Sequence, residues 1–423
     1  MSEADVLVVG GGLGGVIAAL AAARADEHAS IRLVAPREHP FEAESGLVDV
    51  LGYPDGGVDP VAEPFEALSA LPADHPCARF GETPIRDGLA LFDRATSGTY
   101  TGGHDDANGL VPTGLGSLRP AVRYPAAVEP GLCSRREATT LVGLASLPDF
   151  DASHAAKRLR AAAVPFDVSA IQLSLAIAVD ESAPARSLAT SLEANEAIGR
   201  GVPIRESVAR GIDAQVDDPD RVGLPAVLGL DDAAPVHAAI EAELDARVFE
   251  IPLGPPSLLG RRLESTLFRA LSSAGVTVDR GVDVESVSVA DGRVERVELD
   301  DADGGGVSPE AVVLATGGPA AGGVTATRDG IVEPRFGCHV PHPDDRRRWA
   351  EPAALGEHRL ATVGVRLDDA TRPLAAGGDP IAENLYAAGR LVGGHDLVAQ
   401  HAVGGVALAT GVIAGRAAVG ASR

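Results

Sequence analysis

Lysine is almost absent from this chain. Lys157 is the only lysine, so arginine supplies nearly all of the 36 Lys and Arg residues, against 60 acidic ones. The net charge of −24 argues against unaided binding to nucleic acid or anionic lipid, because both would be repelled. Dispersed acidic residues with so little lysine are typical of salt-adapted proteins, whose self-repulsion is screened by ions. An ordinary acidic protein from a GC-rich genome is the alternative.

Cysteine is also scarce. Cys77, Cys133 and Cys338 lie far apart and form no CxxC pair, so closely spaced thiolates cannot hold an iron–sulfur cluster in this chain. Disulfides are not expected in a reducing compartment. Cys338, His339 and His342 are metal-ligand types, but no fourth ligand is near in sequence, so we predict no metal site.

Long apolar runs and basic leader residues are missing as well. No run reaches the roughly 20 residues that span a bilayer, and the first five residues carry no basic side chain. We therefore expect a protein kept inside the cell. Its 423 residues exceed what one core usually supports, which predicts either two domains or a core domain with a large insertion.

The chain does have a glycine-rich segment between its first predicted strand and its first predicted helix. An apolar strand at 5–9, an alanine-rich helix to Ala25 and a strand at 31–34 form a βαβ unit. Between the first strand and the helix lies a GxGxxG motif, whose turn lets a phosphate approach the backbone and the helix N-terminus. A glycine turn without a ligand is the alternative. The predicted cofactor-binding residues here are Gly10, Gly11, Gly12, Gly14 and Gly15.

The second strand of that unit lacks an expected feature. Its end should carry an acidic residue for an adenosine ribose, yet it reads Val34-Ala35-Pro36-Arg37, and Glu38 comes late. The pattern predicts a phosphate cradle without a clear adenosine anchor.

Further candidates for a flavin site follow. The strand at 311–315 ends in Thr-Gly-Gly, as strands beside a flavin often do, although any strand ending in a turn could do so. A late glycine block precedes a C-terminal helix whose N-terminus could supply positive charge to a flavin ring. Ser45 and Asp49 could hydrogen-bond the flavin or cap a turn. The predicted cofactor-binding residues in these segments are Ser45, Gly46, Thr316, Gly317, Gly318, Gly389, Arg390, Gly393, Gly394, Gly404 and Gly405.

The late block also holds the polar candidates for catalysis, which are His395, Asp396, Gln400 and His401. A histidine near a flavin could relay a proton or stabilise negative charge, or it could merely satisfy local backbone groups. Arg262 could meet a phosphate or form an ordinary ion pair.

These patterns predict an α/β, Rossmann-like FAD/NAD(P)-binding flavoprotein fold with a large inserted second domain. The expected limits are 1–75 for the first part of the flavin domain, 76–250 for the inserted domain and 251–423 for the remainder. A small insertion is expected around 325–380. Residues 54–130 are expected to be irregular, and the Asp291-Gly292 turn predicts a hairpin.

Several longer motifs resemble the B-subunit family of the anaerobic glycerol-3-phosphate dehydrogenase complex. The resemblance runs from the first strand to the last helix. Its most specific parts are Pro-Pro-Ser-x-Leu-Gly-x-Arg-Leu at 255–263 and Gly-Gly-x-Asp-x-x-Ala-Gln-x-x-x-Gly-Gly-Val at 393–406, with Glu-Ser-Gly-Leu-Val-Asp-Val-Leu at 44–51 and Asp-Gly-Ile-x-Glu-Pro at 329–334 in support.

The resemblance implies an FMN-binding partner of an FAD-bearing catalytic subunit, which oxidises sn-glycerol 3-phosphate to dihydroxyacetone phosphate. A third, iron–sulfur and membrane-anchoring subunit would carry electrons to membrane quinone, placing the complex at the cytoplasmic face. The alternatives are FAD as the cofactor of a stand-alone oxidoreductase on another small substrate, and a subunit that has lost its flavin.

The charge generates the first prediction. The melting temperature should rise markedly between 0.1 M and molar KCl, because the Debye length falls from about 10 Å to about 3 Å and screens the acidic surface. Thermal melts monitored by circular dichroism across the salt series measure this. A flat response would contradict salt adaptation without touching the cofactor.

Overall fold

A computed structural model describes residues 2–54, 57–102, 106–300, 305–353 and 358–421 of the chain. The helices are α1 Leu13–Ala25, α2 Pro64–Ala67, α3 Pro76–Phe80, α4 Glu82–Ala95, α5 Ala152–Ala161, α6 Pro184–Ala194, α7 Ile204–Asp213, α8 Ala234–Leu244, α9 Leu258–Ser273 and α10 Val403–Ala421. The strands are β1 Ser2–Val9, β2 Ile31–Ala35, β3 Tyr100–Thr101, β4 Gly109–Pro112, β5 Leu118–Ala121, β6 Tyr124–Pro125, β7 Thr139–Leu144, β8 Val168–Leu173, β9 Ala197–Ile198, β10 Val202–Pro203, β11 Arg221–Pro225, β12 Arg247–Ile251, β13 Thr277–Arg280, β14 Val284–Ala290, β15 Arg293–Leu299, β16 Gly306–Leu314, β17 Thr325–Ala326, β18 Ile331–Val332 and β19 Leu385–Ala387.

The first of two compact units contains Met1–Pro40, Asp49–Ser97 and Thr266–Arg423. Its sheet has the order β13-β2-β1-β16-β15-β14, with β19 also paired to β16. Strand β1 is central and parallel to both neighbours, with Val9 opposite Val34 of β2 and Leu314 of β16. Residues Val6–Val9 are fully buried, as expected for a parallel strand covered on both faces. The carboxyl ends of β2, β1, β16 and β19 therefore share one edge.

Helices α1 and α10 pack at very short distance in this unit. A Cβ on Gly415 would lie 2.2 Å from the Ala18 carbonyl oxygen, and one on Gly411 would lie 2.8 Å from that of Gly14. Helix α10 is long and apolar enough to cross a membrane by length and composition alone, but 72% of its apolar window is buried inside the protein. Among the described residues, α10 is therefore a helix of the core of the first unit.

The second unit contains Phe41–Val48 and Gly98–Ser265. Its main sheet has the order β12-β11-β7-β8, and every pairing in it is parallel. Helices α5 to α8 supply buried aliphatic residues to its core, including Leu159, Leu188, Val208 and Ile240. It is thus an α/β unit with a core of its own, and α9 crosses from this unit into the first.

Most sequence expectations for the elements agree with the structure. The α/β flavoprotein fold class is confirmed, and the hairpin at Asp291-Gly292 joins β14 to β15. The expectation that 54–130 is irregular was wrong, because it contains α4. Ile85, Leu89 and Phe92 form the buried stripe of that helix, and a Cβ on Gly88 would lie 2.8 Å from the Leu408 Cβ of α10. The many glycines and prolines around α4 hid this 3.6-residue period.

The compact units have limits other than the sequence-based domains. Residues 76–97 lie with the first unit, where 76–250 had been assigned to an insertion, and the second unit also takes in Phe41–Val48 and extends to Ser265. A sequence shows where patterns change, whereas compact units are defined by contacts. The limits of the folding domains, and the small insertion at 325–380, stay predictions.

The helix contact generates the second prediction. Gly415→Ala should lower the free energy of unfolding by about 1–3 kcal/mol, because the new methyl group overlaps Ala18 backbone atoms. Gly420→Ala in the same helix is the matched control, since none of residues 2–421 that the structure describes lies within 4 Å of a Cβ there, and it should stabilise by at most about 1 kcal/mol. Denaturant unfolding at fixed salt compares the two. Equal effects would mean that the α1–α10 approach is looser than observed.

Candidate functional site

In the glycine turn between β1 and α1, close backbone contacts leave no room for a side chain at Gly10, Gly14 or Gly15. Gly10 has φ +124°, and a Cβ there would lie 2.1 Å from the Ala315 carbonyl oxygen. A Cβ on Gly15 would lie 1.9 Å from the Gly10 carbonyl oxygen, and one on Gly14 would lie 2.8 Å from the Gly389 Cα. The turn therefore brings together the ends of β1, β16 and β19 and the start of α1.

Gly12 differs from these neighbours. Its φ of −75° is ordinary, and no atom of the described residues lies within 4 Å of where its Cβ would stand. It is the N-cap of α1, with no side-chain cap and no acidic residue in the first turn. Gly11 instead packs against β2, since its Cβ would lie 2.8 Å from the Ala35 Cβ. An open space before uncapped helix amides is the arrangement that binds a phosphate.

The end of β16 adds a buried polar group beside this turn. The Thr316 hydroxyl is buried and has no hydrogen-bond partner among the described residues. The Thr316 backbone nitrogen lies 3.0 Å from the Gly10 Cβ position. Gly317 has φ +84°, and a Cβ on Gly318 would lie 3.2 Å from the Arg390 carbonyl oxygen. Buried hydroxyl groups normally form a hydrogen bond. The Thr316 hydroxyl is therefore available to donate or accept one with a bound group.

The late glycine block, residues 389–405, lies in the same unit, and its glycines make different kinds of contact. Gly389 has φ +72°, and its amide donates to the Thr410 hydroxyl of α10 at 3.0 Å. Gly393 packs on Gly364, with 2.8 Å between its Cβ position and the Gly364 nitrogen. Gly394 has φ +88° and its Cβ position is 3.1 Å from the Asp74 carbonyl oxygen.

At the start of α10 the contacts are with the chain itself. The Gly404 amide donates to Asp49 Oδ1 at 2.7 Å. A Cβ on Gly404 would lie 2.2 Å from the Asp49 carbonyl oxygen, and one on Gly405 would lie 2.6 Å from that of Val50. These glycines serve close packing, and Asp49 caps the helix. Their contact with a flavin stays a prediction.

Two histidine rings meet near this cap. His395 and His75 are both buried, with ring centroids 6.0 Å apart. Within the described ranges neither ring nitrogen of His395 makes a hydrogen bond of standard geometry. Burial first, then His75 and Arg390, lower the pKa of His395 to about 3, against smaller raising effects from Asp49 and the Gly393 backbone. His395 is therefore neutral near pH 7 and supplies no positive charge. His75 was missed because nothing in its sequence surroundings marked it.

Comparison with known proteins agrees with this architecture. The FAD binding domain family matches residues 5–406. A probable B subunit of anaerobic glycerol-3-phosphate dehydrogenase from Halobacterium salinarum is 44% identical over 98% of both chains. The chain belongs to the B-subunit family of anaerobic glycerol-3-phosphate dehydrogenase. The family assignment made from the sequence motifs is thus confirmed, and with it the assignment to an oxidoreductase family that has an FAD binding domain.

More distant members of the B-subunit family show the same coverage. The B subunit of anaerobic glycerol-3-phosphate dehydrogenase from Vibrio cholerae serotype O1 is 30% identical over 97% of this chain and 95% of its own. Among solved structures, the open conformation of a flavocytochrome c3 fumarate reductase is similar, with 12% identity and a TM-score of 0.47. It covers 100% of this chain and 79% of that one.

The remaining polar candidates of this family member are engaged locally. Asp396 Oδ1 accepts the amides of Val398 and Ala399, and Gln400 Oε1 accepts the Asp396 amide. His401 has φ +47° and its ring meets the Tyr53 ring edge-on at 5.3 Å. Their local contacts account for the shape of this loop, and a catalytic role for any of them stays a prediction.

Three candidates belong to the second unit. Ser45 Oγ accepts the Leu47 amide, and the Cβ position of Gly46 is 2.7 Å from the Leu259 Cβ, so both shape a turn beside α9. Arg262 bonds both carboxylate oxygens of the fully buried Glu250 and the Gly229 carbonyl. This internal ion pair favours the ion-pair alternative for Arg262 over contact with a phosphate.

The Cys338–His342 segment has the contacts of a structural turn. His342 Nδ1 bonds the Val340 carbonyl, and its Nε2 accepts the Ile331 amide. Burial, followed by the charge of Glu333, raises the pKa of the Cys338 thiol. Within the described ranges no group of three His, Cys, Asp or Glu residues could hold a metal ion.

The contrast between two glycines generates the third prediction. Gly12→Val should leave the fold intact, because its Cβ meets open space, yet reduce bound flavin to less than about a tenth by filling the phosphate position. Absorbance near 450 nm per protein and a thermal melt measure the two effects.

Gly15→Ala is the control, because its Cβ would overlap the Gly10 carbonyl and should lower the melting temperature as well. Full flavin content in Gly12→Val would place the cofactor elsewhere.

Proposed function

We propose that this chain is the FMN-binding subunit of an anaerobic sn-glycerol-3-phosphate:quinone oxidoreductase of glycerol catabolism. The observation that carries the proposal is its 44% identity, over 98% of both chains, to a protein named as a probable B subunit of anaerobic glycerol-3-phosphate dehydrogenase. The open glycine turn supports it, because Gly12 leaves space for a phosphate in front of α1.

The choice of FMN rests on the end of β2. An FAD-type site needs a carboxylate there for the adenosine ribose, but the strand ends at Ala35 and continues with Pro36 and Arg37. Glu38, the first acid after it, is exposed and lies beside Gly281, 3.4 Å from that residue's Cβ position. FMN keeps a phosphate for the turn and has no adenosine to anchor.

The bound flavin would supply reversible two-electron transfer. The chain's own residues would hold its phosphate at Gly12 and offer the Thr316 hydroxyl as a hydrogen-bond partner. Proton relay by His395 is not part of the proposal, because a pKa of about 3 makes it a poor base near neutral pH.

Division of labour follows from what this chain lacks. Its three cysteines are too far apart in sequence for a cluster motif, so iron–sulfur transfer to quinone must occur elsewhere. We assign substrate oxidation to the FAD-bearing catalytic subunit, while the clusters belong to the membrane-anchoring iron–sulfur subunit. This chain would then lie at the cytoplasmic face of the membrane through its partners.

The fourth prediction tests that division. The isolated chain, loaded with its flavin in high salt, should reduce a soluble dye with glycerol 3-phosphate at less than about a hundredth of the rate of the reconstituted complex. Adding the FAD-bearing subunit should restore dye reduction, and quinone reduction should also require the iron–sulfur subunit. The measurements are dye and quinone reduction rates and chromatographic identification of the released flavin.

Turnover by the isolated chain that equals that of the complex would move the substrate site onto this subunit. Released FAD with activity on another substrate would favour a stand-alone oxidoreductase. Absence of flavin after purification under high salt would favour a subunit that has lost its cofactor.

A further inference from the structure

One arginine lies across the edge of the sheet where the glycine turn begins. Arg37 follows β2, and its Nη2 donates to the Ala320 carbonyl at 2.8 Å. Ala320 belongs to the short 3₁₀ turn Pro319–Ala321 that follows β16. In the sheet, β1 lies between β2 and β16. The Arg37 side chain therefore joins the segments after β2 and β16 on the two sides of the β1 end.

The strand registers place this contact at the level of the turn. The Gly10 amide donates to Val34 at the end of β2 at 2.8 Å, and the Ala315 amide donates to Val9 at the end of β1 at 2.7 Å. Neighbouring strands are about 4.8 Å apart, so the segments after β2 and β16 are about 10 Å from each other. An arginine that joins them must pass close to the start of the Gly10–Gly15 turn.

The guanidinium of Arg37 also has capacity to spare. The hydrogen bonds and ion pairs of the described residues give it one partner, the neutral Ala320 carbonyl. Four more N–H donors remain in a planar fork that matches phosphate geometry. The buried Thr316 hydroxyl, for which the described part of the chain offers no hydrogen-bond partner, lies at the same edge of the sheet, and Glu38 lies beside Gly281. A positive charge thus stands where adenosine-binding folds carry a negative one.

We propose that Arg37 is a cofactor-selectivity residue that pairs with a terminal phosphate monoester at the Gly12 turn. The inference rests on the proposed FMN site and assigns the charge partner of its phosphate. A phosphate monoester carries nearly two negative charges above its second pKa of about 6. In FMN this phosphate is the terminal group. The AMP half of FAD would have to displace Arg37 from Ala320 to extend past it. Arg37 therefore favours FMN over FAD.

The test measures flavin binding by the full-length chain, stripped of flavin and kept in high salt. Dissociation constants for riboflavin, FMN and FAD are obtained from quenching of flavin fluorescence. Arg37→Gln should weaken FMN by about tenfold, the loss of about one charge-assisted bond. Riboflavin should change by less than about twofold, because it has no phosphate, and FAD should bind equally well or better.

Two further variants separate charge from folding. Arg37→Lys keeps the positive charge but loses the planar fork, so it should recover part of the FMN affinity. Arg24→Gln is the matched control. Arg24 is an exposed arginine in the last turn of α1, at the opposite end of that helix from Gly12. This variant should leave all three constants unchanged. Wild-type preference for FMN over riboflavin should also shrink below pH 6, and less so in Arg37→Gln.

The outcomes distinguish this inference from the proposed function. If wild type binds FMN tightly and Arg37→Gln binds it equally well, the role of Arg37 is overturned while the FMN site stands. An equal loss of riboflavin affinity would likewise overturn it, as would tight binding of NADP⁺ that depends on Arg37 while FMN binding does not. If wild type retains FAD and not FMN, the proposed cofactor itself fails.

Discussion

The contact on which the first unit depends is the approach of one backbone to another at Gly10. Its Cβ position is 2.1 Å from the Ala315 carbonyl, and that of Gly15 is 1.9 Å from the Gly10 carbonyl. Any side chain at either position would separate β1 from β16 or α1 from β1. Helix α1 therefore starts close to the end of β1, with the open Cβ position of Gly12 at its N-cap. The same glycines thus set both the packing of these elements and the position of the open space at Gly12.

Close packing by small residues extends from this turn through the unit. Gly411 and Gly415 let α10 lie against α1, and Gly88 lets α4 lie against α10. Aromatic residues make up only 3% of the chain, so this core gains its density from backbone proximity and aliphatic side chains. Glycine in a helix costs about 1 kcal/mol relative to alanine. Here that cost is offset by contacts that a larger residue would prevent.

The two units accommodate buried ionisable side chains in different ways. Glu250 is fully buried, and its carboxylate is satisfied by Arg262 and the Leu228 amide, so this pair joins α9 to β12 and the segment after β11. In the first unit His395 avoids the cost of burial by remaining neutral, with a pKa lowered to about 3. In the same unit Arg335 and Arg416 pair with carboxylates, whereas Arg37 binds only a carbonyl among the described residues.

The sequence alone determined what depends on short-range pattern. The strand, glycine turn and helix at the N-terminus, the hairpin at Asp291-Gly292 and the family motifs at 255–263 and 393–406 were all readable, because turn chemistry and apolar period are local. Only the tertiary structure decided which of several similar glycines leaves open space. It also decided that Asp49 caps α10, that Arg262 forms an ion pair with Glu250, and that Arg37 donates a hydrogen bond to the Ala320 carbonyl. Those pairs are separated by 12 to 355 residues in the chain, and contacts at such distances arise only when the strands take their order in the sheet.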